Sequence, residues 1–496
     1  MDENLYSILR AGFSEVIDRA AFVSPGEPSV SWRELDDLVA GFASVLMSRG
    51  VEPGDRVVAQ VEKSLGAVAL YLATIRIGAV FVPLNTAYTD AEVASFLADA
   101  EPRVFVASTK RESPSGVMPE LLGTTITSPL WSEALSVKPA RAVAPRTKDD
   151  LAAIVYTSGT TGRSKGAMLS HGNLASNAAT LVKLWEMTAS DVLLHALPIY
   201  HVHGLFVALH TAMLAGATTL FLAKFDAEVV RRALAGATMM MGVPTFYTRL
   251  LALDGFGRDD CGGMRLFISG SAPLLADTHR EFEERTGHRI LERYGMTETG
   301  MLTSNPLRGE RIAGTVGFAL PDVRIRVADA TGAPVPAGDA GVLEVAGPNV
   351  FAGYWRRPER SPEDFRPDGY FITGDIGVAA AGGRITLVGR AKDLIITGGL
   401  NVYPKEVEEV LDAVDGVVES AVIGVPDADF GEAIVAVVVR EDGDAVTAES
   451  LETAARTSLA RFKHPRRIEF VDALPRNAIG KVQKNVLRER YAGRAR

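Results

Sequence analysis

The chain has 496 residues, more than one hydrophobic core usually supports, so two or more domains are expected. Hydrophobic residues make up 47% and charged residues 23%, an ordinary globular balance, and the net charge of −9 argues against a general nucleic-acid binder. The single cysteine, Cys261, excludes an intrachain disulfide. The absence of a basic leader and of any apolar run near the ~20 residues that span a bilayer predicts a cytoplasmic protein without a membrane partner.

In chain order, a strand at Arg56–Ala59, a helix over Leu65–Ile77 and a strand at Ala79–Pro83 come first. An irregular stretch rich in Pro, Ser and Thr, Lys110 to Arg146, then meanders between two sheet-forming halves of one large domain. Apolar runs at Leu151–Tyr156, Val192–Leu197, Thr218–Leu222, Thr238–Val243 and Met264–Ser269 read as strands, with a helix over Leu274–Arg285. Such alternation predicts βαβ units and parallel sheets. After Gly317 the pattern changes to short strands, Val323–Val327, Gly341–Val345, Tyr370–Thr373 and Arg384–Val388, which form a small barrel-like section. A compact unit follows: helix Pro404–Ala413, strands Ser420–Val425 and Ile434–Val439, helix Ala448–Leu459 and strand Arg467–Phe470. The expected fold is α/β. Residues 1–391 form a large N-terminal domain of two parallel-type α/β sheet subdomains plus the barrel-like section. It is hinged to a small α+β C-terminal domain, residues 392–496.

The most informative string is Thr157-Ser158-Gly159-Thr160-Thr161-Gly162-Arg163-Ser164-Lys165-Gly166, directly after a buried strand. Glycine permits close backbone approach, and N–H groups, hydroxyls, Arg163 and Lys165 can then surround anionic oxygens. It is not a Walker loop, in which Gly-Lys is followed by Ser or Thr. No Gly-x-Ser-x-Gly elbow is present either, so acyl transfer through a protein serine of that type is not indicated.

This string resembles the phosphate loop of adenylate-forming enzymes, the superfamily of acyl-CoA synthetases, peptide-synthetase adenylation domains and firefly-type luciferases. Four further motifs resemble that family in the family's order: Tyr294-Gly295-Met296-Thr297-Glu298, Thr373-Gly374-Asp375, Gly389-Arg390-Ala391-Lys392-Asp393 and Pro475-Arg476-Asn477-Ala478-Ile479-Gly480-Lys481. The resemblance implies ATP and coenzyme A as co-substrates and Mg²⁺ as cofactor. Lys481 would contact the substrate carboxylate and the α-phosphate, Thr297 would donate its hydroxyl to the α-phosphate, and Glu298 would hold the metal. Thr157 to Gly162, Lys165, the Gly270-Ser271-Ala272 segment, Tyr294, Asp375 and Arg390 would contact the nucleotide. Lys392 would be the hinge, although the family often has Asp there and here Asp393 follows. Gly398 and Gly399 would line the coenzyme A path.

Within the superfamily, Leu197–Leu205, Gly242–Leu250 and Met296–Met301 resemble bacterial malonyl-CoA synthetases. By that resemblance Arg249 pairs with the distal carboxylate of malonate, His201 and His203 add to the positive field, and Val202 and Met301 keep the pocket short. An arginine fork suits a carboxylate partner. Methylmalonate, succinate or a short monocarboxylate remain alternative acids. A non-catalytic nucleotide-binding regulator is a more remote reading.

Overall fold

The computed structural model describes residues 2–109, 119–157, 165–357, 363–397, 400–427, 430–441, 446–477 and 481–492. It divides into two compact units, residues 1–324 with 346–362 and residues 325–345 with 363–496.

The first unit contains two sheets. One has nine strands in the order Phe318–Ala319, Gly300–Ser304, Leu291–Met296, Leu266–Ser269, Met239–Gly242, Val192–His195, Thr218–Phe221, Ala20–Val23 and Val30–Ser31. Its six central strands are parallel, with antiparallel additions at both edges. The other has seven strands, Gly353–Tyr354, Lys165–Ser170, Leu151–Thr157, Val80–Pro83, Arg56–Gln60, Val104–Ala107 and Glu120–Leu121, with a parallel middle and an antiparallel edge. Strands such as Val80–Pro83, Met239–Gly242 and Leu266–Ser269 are buried throughout. That is why they read as continuous apolar runs rather than alternating ones.

The helix Leu65–Arg76 shows the same logic. Every residue from Gly66 to Arg76 is buried, so it has no polar face to present. Ser64 caps its start by accepting from the Ala67 N–H. The stretch expected to be irregular holds the short strand Glu120–Leu121 and a helix, Pro129–Ser136. Pro129 stands at the start of that helix, and Leu130, Trp131 and Ala134 bury one face. The abundance of Pro and Ser masked an eight-residue helix.

The second unit carries a four-stranded sheet of Arg324–Ala328, Ala340–Ala346, Phe371–Ala379 and Ile385–Arg390. It also has a five-stranded sheet of Leu400–Val402, Ile395–Thr397, Gly431–Arg440, Val417–Asp427 and Arg467–Phe470. The run Ile434–Val439 serves two cores at once. Ile434, Ala436 and Val438 pack with Val407, Leu411 and Leu451, while Val435, Val437 and Val439 pack with Leu474, Leu487 and Tyr491. The two-residue strand period assigns alternate side chains to opposite faces.

Candidate active site

In the first unit the candidate residues follow the carboxyl ends of strands, where open α/β sheets bind ligands. Strands Leu151–Thr157 and Lys165–Ser170 form a hairpin in which Thr157 faces Lys165. Ser158, Gly159, Thr160, Thr161 and Gly162 lie outside the described residues, but both stems of their loop are in place. Lys165 Nζ stands 4.7 Å from the ring centre of Tyr354. The Tyr354 hydroxyl donates to Glu298 Oε1 at 3.1 Å, and Thr157 Oγ1 donates to the same oxygen at 3.4 Å. The motif glutamate is therefore joined to the loop stem and, through Tyr354, to the loop lysine.

Glu298 lies in the turn between antiparallel strands Leu291–Met296 and Gly300–Ser304. Gly300 has φ +57, and a Cβ there would meet Asn177 Oδ1 at 2.7 Å. Asn177 accepts from the Met301 N–H at 3.0 Å and donates to the Met301 carbonyl at 2.8 Å. Asn349 donates to the Thr299 and Met301 carbonyls. Two asparagines thus fix the turn that carries half-buried Thr297 and buried Glu298. Tyr294 is buried on the strand leading into it.

Val202 and Met301 are both buried, and Val202 shares a small cavity with Asn177, Phe206 and Gly300. His201 and His203 do not supply the expected positive field. Burial lowers the His201 imidazole to about 4 and takes His203 well below its ordinary range, with Arg293, His195 and His201 adding to the shift at His203. Both rings are neutral near pH 7. Arg249 does not turn inward as expected: it is exposed on helix Pro244–Leu251, beside exposed Thr248. Phe246, Tyr247, Leu250 and Leu251 take the buried face of that helix.

A buried cation stands instead at Arg293, one residue before the Tyr294 motif and so outside it. Its exposure is 3%, and its Nε and Nη2 have no hydrogen-bond partner among the described residues. Burial pushes its guanidinium down to about 10. Gly270 leaves it room, since a Cβ there would lie 2.3 Å from Arg293 Nη1. The next residue, Ser271, is exposed with φ +71, and its Oγ lies 3.2 Å from His203 Nδ1. Ala272 beside it is half-buried. The helix expected from Leu274 begins at Ala276, so residues 270–275 form a connecting segment rather than a cap.

In the second unit, Asp375 and Arg390 face each other across paired strands and form an ion pair at 2.8 Å. Thr373 Oγ1 accepts from the Asp375 N–H at 3.1 Å, and Gly374 between them has φ +70. Lys392 lies in the single turn Ala391–Asp393, and Asp393 pairs with Arg488 of helix Lys484–Tyr491 at 2.7 Å. Lys481 is held by its neighbours. Its N–H donates to Asn477 Oδ1, and its carbonyl accepts from the Asn477 N–H, each at 2.9 Å. Burial lowers the Lys481 ammonium to about 8, with Arg390 and Lys392 adding to the shift and Asp375 and Asp393 opposing it. Gly398 and Gly399 lie outside the described residues.

The first unit thus holds a hairpin stem braced to a buried carboxylate, and the second a lysine whose charge is felt by an Asp–Arg ion pair, an arrangement in keeping with an adenylate-forming class of protein. The AMP-binding enzyme family matches residues 11–355 and its C-terminal domain matches 406–481, and the chain belongs to that family. ATP-bound MatB from Rhodopseudomonas palustris is 52% identical, with 99% of each chain covered and a TM-score of 0.95. A malonate–CoA ligase of Arabidopsis thaliana is 34% identical, over 98% of this chain and 89% of its own. A feruloyl-CoA synthase of an Amycolatopsis species is 35% identical, over 95% and 96%. No helix among the described residues is long and apolar enough to cross a membrane.

Proposed function

We propose that this chain is an AMP-forming acid–thiol ligase that joins malonate to coenzyme A. Malonate attacks the α-phosphate of ATP, giving malonyl-AMP and pyrophosphate. Coenzyme A then takes the malonyl group and AMP leaves. Arg293 carries the choice of a dicarboxylate. A buried guanidinium with two unpaired nitrogens is costly unless an anion completes it. A monocarboxylate consumed in the reaction leaves that cost unmet, whereas the distal carboxylate of malonate meets it. His203 and Ser271 add neutral hydrogen-bonding groups beside Arg293. Val202 and Met301 limit the length of the acid. Feruloyl-CoA synthase stands at an identity similar to that of malonate–CoA ligase. The pocket, rather than overall likeness, therefore selects the acid.

Attack of a carboxylate on a phosphate brings two anions together. Lys481, with Thr297 and Lys165, supplies the positive charge and donors that stabilise the charge developing on phosphorus oxygens. Glu298 fits a magnesium ion that arrives with ATP, since magnesium takes one or two carboxylates plus phosphate oxygens. Bound there, magnesium neutralises phosphate charge. Residues 158–162 cradle the phosphates, Tyr294 and the Gly270–Ala272 segment border the base, and Asp375 with Arg390 takes the ribose. Lys392 is the pivot between residues 1–391 and 392–496. Turning about it withdraws Lys481 and brings the Gly398-Gly399 segment to the adenylate for thiol attack.

The test is pyrophosphate release with malonate, methylmalonate, succinate, acetate and butyrate, with AMP followed with and without coenzyme A. Malonate is expected to give the highest kcat/KM, and coenzyme A to be required for sustained AMP release. Preference for a monocarboxylate would overturn the assignment of acid. No pyrophosphate from any acid would overturn adenylation itself.

A further inference from the structure

Lys63 follows strand Arg56–Gln60 of the seven-stranded sheet, and His195 ends strand Val192–His195 of the nine-stranded sheet. Part of Lys63 remains in solvent, but its amine end is buried. Nζ donates to His195 Nδ1 at 2.8 Å and to the His195 carbonyl at 2.9 Å. It also stands 4.4 Å from the ring centre of Phe221. His195 is fully buried, and its Nε2 lies 2.9 Å from the carbonyl oxygen of Gly204. A carbonyl only accepts, so Nε2 carries the ring proton and Nδ1 accepts from Lys63. Lys63 at one end and Gly204 at the other fix one tautomer and one ring orientation.

Gly204 belongs to the π-helical segment His203–Leu209, a rare geometry that is frequent at functional sites. It has no room for a side chain, because a Cβ would lie 2.1 Å from the Pro198 carbonyl oxygen. The residue before it is His203, which meets Ser271 through Nδ1 and leaves Nε2 buried without a partner. Arg293, His195 and His201 are the charged or titratable groups that act on His203. Hydrogen bonds thus run from the Lys63 amine through the His195 imidazole to the Gly204 carbonyl, and His203 is the next residue back along the chain.

We propose that Lys63 is a positioning residue for acid recognition, which through His195 pins the Gly204 carbonyl and so holds the His203 ring beside Ser271 and Arg293. This rests on the reading that the Arg293 pocket takes the distal carboxylate. A lysine that merely stapled two sheets together would affect stability alone. A positioning lysine also sets KM for the acid while leaving the nucleotide half of the reaction intact.

The experiment measures pyrophosphate release by the full chain as wild type, Lys63→Met, His195→Leu, His195→Gln and the Lys63→Met/His195→Leu double variant. Malonate and butyrate are varied in turn at saturating ATP. Lys63→Met is expected to raise KM for malonate on the order of tenfold, short of the roughly 10²-fold that a full 1 Å misplacement can cost, with KM for ATP and for butyrate unchanged. The double variant should be no worse than His195→Leu, because groups acting in series do not add. His195→Gln keeps an N–H for the Gly204 carbonyl and should stay nearer wild type than His195→Leu, a comparison that holds even if Lys63→Met fails to fold. A malonate-to-butyrate KM ratio that Lys63→Met leaves at the wild-type value, with only the melting temperature lowered, overturns this proposal alone. Additive losses in the double variant overturn it too. A wild-type enzyme indifferent between malonate and butyrate overturns the distal-carboxylate reading on which it stands.

Discussion

Gly270 lies so close to Arg293 that a Cβ would stand 2.3 Å from Nη1, and Arg293 keeps two buried nitrogens without partners. The backbone yields space to a cation whose Nε and Nη2 no described residue meets with a hydrogen bond. Arg293→Met is therefore expected to hold or raise the melting temperature of the free protein, because a buried unpaired charge is replaced by an apolar group of similar length. The same change should lower kcat/KM with malonate by about 10²–10⁴, the equivalent of the ~3–5 kcal/mol that removing one partner of a buried ion pair costs. Butyrate should lose little. Malonate should stabilise the wild type against heat and leave Arg293→Met unmoved. Arg249→Leu should cost less, since an exposed guanidinium is screened by solvent. Calorimetry with paired kinetics checks all of these. A melting temperature that drops sharply together with equal losses for both acids would mark Arg293 as structural.

Lys481 must be protonated to place positive charge between two anions. Its folded-state value, lowered from 10.5 to about 8, means that it is charged below pH 8 and neutral above. kcat/KM for adenylation, which reports the free enzyme, should therefore fall as pH rises through about 8. Lys481→Ala should abolish most adenylation and remove that alkaline limb from what remains. Thioester formation from supplied malonyl-AMP should largely persist in the same variant. If both half-reactions fall together, Lys481 serves the fold or the two-position mechanism is wrong.

Much of this arrangement was legible in the chain because local chemistry and tertiary role agree. The run before Thr157 and the runs at Met239–Gly242 and Leu266–Ser269 are buried strands, and their apolar composition says so directly. Asp375 and Arg390 appear as separate motif residues, and pairing strands Phe371–Ala379 and Ile385–Arg390 places them face to face. What was not legible depends on distant partners. Tyr354 reaches Glu298 across 56 residues of chain. Arg293 is distinguished from other arginines only by its burial and lack of partners. Arg249 drew attention because it shares a motif stretch with the pocket, but Phe246, Tyr247, Leu250 and Leu251 claimed the inner face of its helix. Histidine in a motif implies charge only while solvated, and burial removes it from His201 and His203.

Several histidines make the fold acid-sensitive. Burial lowers His171 and His201 to about 4 and His210 to about 3, from 6.5. Unfolded, each titrates near its ordinary value, so between about pH 6.5 and 4 the unfolded chain binds more protons than the native one. Stability should thus fall as pH drops through that window and level off below the folded-state values as far as these groups decide it. His171 accepts the Leu5 N–H through Nδ1 at 2.9 Å. His171→Asn offers an oxygen to the same donor without a titratable ring, and should reduce the slope of unfolding free energy against pH by up to one proton. Urea denaturation between pH 4.5 and 7 measures it, and an unchanged slope would remove His171 from the account.

Tyr354 gives the most local test of the metal assignment. Its hydroxyl donates to Glu298 Oε1, and its ring lies under Lys165 Nζ. Tyr354→Phe keeps the ring, and with it the cation–π contact, and deletes only the donor. A hydrogen bond to a charged group contributes roughly 1.5–3 kcal/mol, so the carboxylate should become less fixed by about that amount. If Glu298 holds magnesium, Tyr354→Phe should raise the magnesium concentration needed for half-maximal pyrophosphate release. KM for malonate should stay constant, because nothing at Arg293 changes. Glu298→Gln should shift the magnesium requirement further in the same direction. If Tyr354→Phe instead alters KM for malonate and leaves the magnesium titration where it was, Glu298 belongs to the acid side of the site rather than to the metal.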